Sequence, residues 1–427
     1  MPIKTDNVSV DMVTNLSNAI DTVNLARHRW YYYKEGFSPN LVNKAIDELH
    51  LGREDLVLDP FNGSGTVTLT SAMRGIPSIG VEVNPFTAFI ARTKANNVEA
   101  KELEAYSKLL IEAIKKDRFF TSRWIGISTF TEHISLKKWL FNRPVADAYE
   151  SGFQFLENVD SVQIKDILKL ALVSSLMANA NARRDGKCFK YKKGWENNGY
   201  DRESFVESLS DRLTICLEDV KTTHVESLPL IVCEDSRSFL KKDDVNTYSL
   251  CITSPPYLNT FDYTDIYRPE LFMGGFIPNN EALYQLRLNT VRSHVQALWP
   301  TPTEQNFGPD YTSVMEYLLS HQEMLMCKRI PLMVQAYFED MKDILDSIFK
   351  KMRDGGQVWI VVSTSAYAGM EIPVDTIIGH IGTVAGFTLK GIEKLRDIRK
   401  RKTKNSGNIE LLRESLIKLV KVYNSKE

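Results

Sequence analysis

The segment from Asp55 to Val83 constrains the fold more than any other. It starts with the apolar stretch Asp55-Leu56-Val57-Leu58 and continues through Asp59-Pro60-Phe61-Asn62-Gly63-Ser64-Gly65-Thr66 into a helix-like stretch. It then returns to Ile79-Gly80-Val81-Glu82-Val83. Strand, turn, helix and strand within about thirty residues make a βαβ unit, whose two strands lie parallel. Parallel strands are buried on both faces, so helices must cover each side. The strand pattern resumes at Leu230-Ile231-Val232-Cys233, from Ser249 to Ile252, and from Gln357 to Val362. Between roughly 105 and 225 the apolar residues recur at helical spacing, as at Ile164, Ile167, Leu168, Ala171 and Leu172. One doubly wound α/β sheet, interrupted by a mostly helical insertion, accounts for this pattern.

Composition narrows the setting. A chain of 427 residues is long for one compact domain, which suits a domain with an insertion. Its net charge of −1 makes any nucleic-acid contact a matter of local patches. No apolar stretch is long enough to cross a membrane, and the opening MPIKTDNVSVD has no signal core. The five cysteines form no CxxC pair and the seven histidines no HExxH or HxH. A reduced, metal-free, cytoplasmic protein is expected.

The loop after the first strand reads as a nucleoside site. Gly63 and Gly65 around Ser64 permit a tight turn with close backbone approach to a ligand. No Lys-Ser/Thr follows Gly65, so this is not a phosphate-binding P-loop, and a third glycine of the dinucleotide fingerprint is missing. Asp59 ahead of the glycines would repel a phosphate. A cationic, phosphate-free nucleoside fits better, which points to S-adenosyl-L-methionine with its ammonium near Asp59. Glu82, ending the second strand, is placed to accept from ribose hydroxyls. Asp235, in Cys233-Glu234-Asp235-Ser236-Arg237, follows the third strand and is placed to accept from an adenine amine.

A second motif, Thr253-Ser254-Pro255-Pro256-Tyr257, follows the strand ending at Ile252. DPFNGSGT (59–66) together with TSPPY (253–257) resembles the amino-methyltransferases of DNA, which methylate an exocyclic base nitrogen. The resemblance covers roughly 28–95, 229–275 and 355–392, and leaves out 105–225. It implies a Rossmann-like class I methyltransferase sheet and a flipped target base held by Ser254, Pro255, Pro256 and Tyr257. The serine form implies cytosine-N4 as target; adenine-N6 methylation of DNA and guanine-N2 methylation of RNA are the alternatives. A catalytically silent nucleic-acid-binding subunit would be expected to have lost these residues. The cofactor set implied comprises Asp59, Phe61, Gly63, Gly65 and Thr66 on the loop, with Glu82, Asn84, Asp235 and Ser236 at the later strand ends. Phe37 and Ser38, in the turn Phe37-Ser38-Pro39, would cover its methionine end.

The chemistry accounts for the residue types. An exocyclic amine is a poor nucleophile because its lone pair is delocalised into the ring. Acceptors for its N–H groups, here Ser254 Oγ and the Pro255 carbonyl, favour a pyramidal nitrogen and free the lone pair. Two prolines fix the backbone angles that hold those acceptors. The chain has no Pro-Cys dipeptide, so the nucleophile of cytosine-C5 enzymes is absent.

For DNA contact the sequence offers Arg183, Arg184, Lys187, Lys190, Lys192 and Lys193, interleaved with Phe189, Tyr191 and Trp195. Asn259 and Asp262, after the proline turn, are expected to line the base pocket. A second basic run, KGIEKLRDIRKRKTK, spans 390–404, and an amphipathic helix is expected over Leu411–Ile417. The expected division is 1–104 with the cofactor loop, 105–225 as the target-recognition insertion, 226–392 as the catalytic part, and 393–427 as a basic tail and helix. DNA is the expected partner, with a cognate restriction endonuclease or defence complex as a further candidate.

Overall fold

The computed structural model describes residues 5–6, 16–116, 129–132, 136–186, 188–399 and 409–422. Its strands, in chain order, are β1 (Thr5–Asp6), β2 (Val57–Asp59), β3 (Ser78–Val81), β4 (Ala182–Asp185), β5 (Cys188–Tyr191) and β6 (Leu230–Val232). They continue with β7 (Tyr248–Thr253), β8 (Met352–Ser363), β9 (Ser365–Tyr367), β10 (Met370–Ile372), β11 (Thr388–Arg399) and β12 (Leu411–Val420). Eight of them form one sheet in the order β1-β11-β12-β8-β7-β2-β3-β6. Neighbours from β8 through β6 are parallel, and only β12 runs against its neighbours β8 and β11. This is the mostly parallel α/β architecture that the βαβ pattern demands.

Period-2 alternation divides the strand residues between two cores. Leu250, Ile252, Trp359, Val361 and Leu416 face the helix Pro39–Glu48, whose Leu41, Val42, Ala45 and Ile46 complete that layer. Cys251, Val358, Ile360, Val362 and Ile417 face the helices Ile330–Lys351 and Val374–Val384. β2, β3 and β7 are buried along their whole length, which is why they read as continuous apolar runs.

A third core gathers the helices Ala100–Lys116, Arg143–Phe155, Val162–Ala178 and Arg202–Thr222. The insertion is mostly helical, with the β4–β5 hairpin as its one sheet among the described residues. This core also takes in Phe261, Tyr267, Phe272 and Leu286 from a further helical excursion after β7. That excursion had no distinct signal in the sequence, because its short helices such as Arg268–Met273 span less than two turns.

The chain end corrects the sequence reading. Residues 411–417 belong to strand β12, not to an amphipathic helix. β12 is paired on both sides, with β8 and along nearly its whole length with β11, and this pairing overrides local helical spacing. The sheet therefore continues past residue 393, and the described part of the basic run, Lys390–Arg399, lies in β11 instead of a tail. Residues 400–404 of that run lie outside the described residues. No described helix is long and apolar enough to cross a membrane, and the described residues hold no cluster of His, Cys, Asp or Glu suited to a metal.

Candidate active site

Strand order reverses between β2 and β7: β3 lies on one side of β2, while β7 and β8 lie on the other. Open parallel sheets bind ligands outside the carboxyl ends of the strands at such a switch point. Asp59 ends β2 and Thr253 ends β7, and a cavity of about 310 Å³ opens beside them. That volume lies at the lower end of the range for small-molecule sites.

The carboxylate of Asp59 is 2% exposed and accepts from Thr253 Oγ1 at 2.6 Å and from the Phe61 amide at 3.0 Å. Burial pushes its pKa up to about 7, against the lowering effect of those two bonds. Glu82 holds the glycine turn. Its two oxygens accept from the Gly63 and Asn84 amides, each at 2.8 Å. Burial raises the Glu82 pKa as well. Gly63 has φ 51° and Gly65 φ 86°, the left-handed region that glycine tolerates.

Most of the expected cofactor residues meet in this cavity. Phe37, Asp59, Phe61, Gly63 and Thr66 line it, as do Glu82, Asn84, Asp235 and Ser236. Ser38 and Gly65 do not. Ser38 is fully buried and caps the helix Pro39–Glu48, accepting from the Asn40 amide at 3.0 Å. Gly65 serves packing: a Cβ there would sit 2.8 Å from the Ala91 Cβ, so its absence lets the loop rest on the helix Pro85–Lys94. Asp235 caps the helix Ser236–Lys242 and is bridged by Arg237 at 2.7 Å, which leaves it less free to receive a ligand than expected.

Ser254, Pro255, Pro256 and Tyr257 line the same cavity as the glycine loop. Tyr257 donates its hydroxyl to Glu414 Oε1 at 2.5 Å, and Glu414 is held by Arg396 Nε at 2.6 Å. The Leu258 carbonyl after the turn accepts from the Tyr367 hydroxyl at 3.0 Å and from Ser365. Asn259 lines the cavity, with Oδ1 accepting from the Phe261 amide at 3.0 Å. Asp262 is not part of the lining. It caps the helix Tyr263–Ile266 and forms an ion pair with Arg287.

Several lining residues went unseen in the sequence. Tyr33 packs under Gly63, a Cβ on which would lie 3.2 Å from the ring, and it stacks on Tyr267 at 5.3 Å. Glu35 accepts from the Tyr267 hydroxyl. Both lie in the stretch Tyr31-Tyr32-Tyr33-Lys34-Glu35, inside the segment 28–95 over which the resemblance runs, though neither was singled out there. His294 also lines the cavity; the residue is 2% exposed, and burial lowers its pKa. Nothing in the spacing of Asn289–His294 marks it as a site segment.

The basic hairpin divides in its roles. Gly186, at its turn, reaches the cavity. Arg184 points inward: it pairs with fully buried Glu270, donates to the Ile266 carbonyl at 3.1 Å and lies 4.4 Å from the Tyr267 ring. It is an anchor of the hairpin and not a free cation for DNA. Lys192 donates to the Tyr200 hydroxyl at 3.1 Å. Lys190 lies 3.9 Å from Asp185 and, like Arg183 and Lys193, is exposed. Lys187 lies outside the described residues.

Fold and site together define a mostly parallel α/β protein with one switch-point cavity, lined by carboxylates around a glycine turn. The chain is similar to type II methyltransferases. It is 28% identical over 431 residues to M.BsoBI of Geobacillus stearothermophilus, covering 90% of this chain and 82% of that protein. It is 26% identical over 404 residues to M.AvaI of Anabaena variabilis, covering 86% and 80%. M.MjaII of Methanocaldococcus jannaschii matches at 32% over 107 residues, 25% of this chain and 19% of that one. No protein-family model matches. Among solved structures, the rRNA methyltransferase aviRa of Streptomyces viridochromogenes aligns at 10% identity with a TM-score of 0.28, covering 90% of this chain and 85% of that one. A likeness that low adds nothing to the reading.

Proposed function

We propose that this protein transfers the methyl group of S-adenosylmethionine to the exocyclic N4 amine of a cytosine turned out of duplex DNA. One observation carries the reading: the glycine turn with Asp59 and Glu82, and the Ser254–Tyr257 turn, line a single cavity. Similarity to type II methyltransferases over most of the chain supports methyl transfer within a restriction–modification setting.

The residues present fit the cofactor. The turn is flanked by the carboxylates of Asp59 and Glu82, which suit an ammonium and a pair of ribose hydroxyls and oppose a phosphate. Phe37, Phe61 and Val83 give the cavity apolar walls for a nucleoside. When bound, S-adenosylmethionine supplies an electrophilic methyl on its sulfonium.

The chain supplies position. Ser254 Oγ and the Pro255 carbonyl take the amine's two N–H bonds and turn its lone pair toward the methyl. Alignment of this kind lowers a barrier by about 7–11 kcal/mol. Tyr257 stacks on the base: one stack returns roughly 1–3 kcal/mol, against a few kcal/mol for flipping.

Expression in a methylation-free host, followed by mass spectrometry of DNA and RNA nucleosides, tests the reading. N4-methylcytosine in DNA is the expected product. N6-methyladenine in DNA or N2-methylguanosine in RNA would reassign the target, and no modified nucleoside would overturn the proposal.

A further inference from the structure

Glu414 is a carboxylate where a sheet interior normally holds apolar side chains: it is 1% exposed, on a strand flanked by β8 and β11. Its register partner on β11 is Arg396, just after a bulge between Lys394 and Arg396. Bulges re-aim side chains next to functional sites. Here Arg396 Nε meets Glu414 Oε2 at 2.6 Å, while Glu414 Oε1 receives the Tyr257 hydroxyl at 2.5 Å. All three residues line the cavity. They come from three separate segments, and the pair lies in the stretch that sequence reading treated as a basic tail and a helix.

We infer that Glu414 is the positioning residue of Tyr257, and that Arg396 fixes Glu414 for this task. The inference rests on the proposed methyl transfer and identifies what sets the plane of the ring that meets the base. A tyrosine at a cavity wall turns about two side-chain torsions. Anchoring its hydroxyl to a carboxylate that is itself held by a guanidinium fixes the first torsion, and because a phenolic O–H prefers to lie in the ring plane, the position of the acceptor also favours one plane for the second. The Arg396–Glu414 pair thereby ties the last two sheet strands to the turn after β7. In this role Glu414 acts through Tyr257.

The test is a double-mutant cycle in the full-length protein, with Glu414→Ala, Tyr257→Phe and the double variant. The substrates are S-adenosylmethionine and genomic DNA from a methylation-free host. Wild-type turnover is measured first: its absence would sink the proposed methyl transfer, and the inference with it. With an active wild type, Glu414→Ala is expected to lower kcat roughly ten- to a hundredfold, the scale of a misplaced reacting group. KM for S-adenosylmethionine should stay within about twofold, and Glu414→Gln, which keeps an acceptor for the tyrosine, should restore most of the loss. In the Tyr257→Phe background, Glu414→Ala should cost nothing further. An unchanged kcat in Glu414→Ala, or losses that multiply in the double variant, would overturn the inference. Should Glu414→Ala fail to fold, the same cycle run with Arg396→Ala decides. In that cycle, a loss in the single variant that disappears on the Tyr257→Phe background supports the inference, and no loss in the single variant or a further loss on that background contradicts it.

Discussion

Thr253 Oγ1 donates a 2.6 Å hydrogen bond to Asp59 Oδ1, joining the ends of two neighbouring strands across 194 residues of chain. This bond brings the glycine turn and the proline turn to one place. It also fixes the orientation of the carboxylate best placed to receive a cation.

Burial sets the first prediction. Asp59 has its pKa raised to about 7, so in the free protein near neutrality it is partly protonated. Only the carboxylate attracts an ammonium. Affinity for S-adenosylmethionine should therefore rise as pH increases through about 7, and Asp59→Asn should weaken binding and flatten that dependence. Stability runs the other way: the folded state holds this proton more tightly than the unfolded chain does. The free protein should lose stability from about pH 4 to about pH 7 through this group, and Asp59→Asn should remove that part of the decline. Calorimetric titration and thermal melts across pH check both.

Ser254 is expected to act on turnover and not on cofactor binding. Ser254→Ala should leave S-adenosylmethionine affinity within about twofold while cutting kcat roughly a hundredfold, the scale of one lost hydrogen bond at a reacting centre. Single-turnover methyl transfer measures this. Unchanged turnover would remove the serine from the mechanism.

Gly65 has a structural task that a methyl group would expose. Its φ is 86°, and an added Cβ would meet the Ala91 Cβ at 2.8 Å. Gly65→Ala should destabilise the fold by about 1–3 kcal/mol through overpacking alone, read as a lower midpoint in denaturant melts.

Arg184 and its neighbours should separate cleanly. Arg184→Ala leaves the buried Glu270 without its counter-ion, held among the described residues only by the Tyr31 hydroxyl at 2.6 Å, and losing one partner of a buried pair costs about 3–5 kcal/mol. Its melting temperature should fall. Charge reversal at the exposed Arg183 and Lys193 should leave the melt unchanged, weaken DNA binding and flatten its salt dependence. Filter binding at several salt concentrations checks the second half.

What the sequence made legible follows from what local rules encode. The unit from Asp55 to Val83 carries its own strand, turn and helix signals, so the glycine turn and Glu82 were readable, and two consecutive prolines mark the Ser254–Tyr257 turn without help from tertiary contacts. Glu414 and Arg396 were not readable, because their meaning lies in the cross-strand register of β11 and β12, and register leaves no trace in spacing. Ser38, Gly65, Asp262 and Arg184 carry site-like chemistry in the sequence. In the fold they serve a cap, a close approach and two ion pairs. Tyr33 and His294 reach the cavity by the path of the chain, and no motif contains them.

In the proposed reaction one cavity holds the methyl donor against the turn that grips the target amine. A crystal structure with the reaction product S-adenosylhomocysteine tests it most directly. The ribose hydroxyls are expected on Glu82 and the sulfur facing the Ser254–Tyr257 turn. A ligand seated away from both turns, or no binding by this nucleoside while a phosphate-bearing nucleotide takes the cavity, would contradict it.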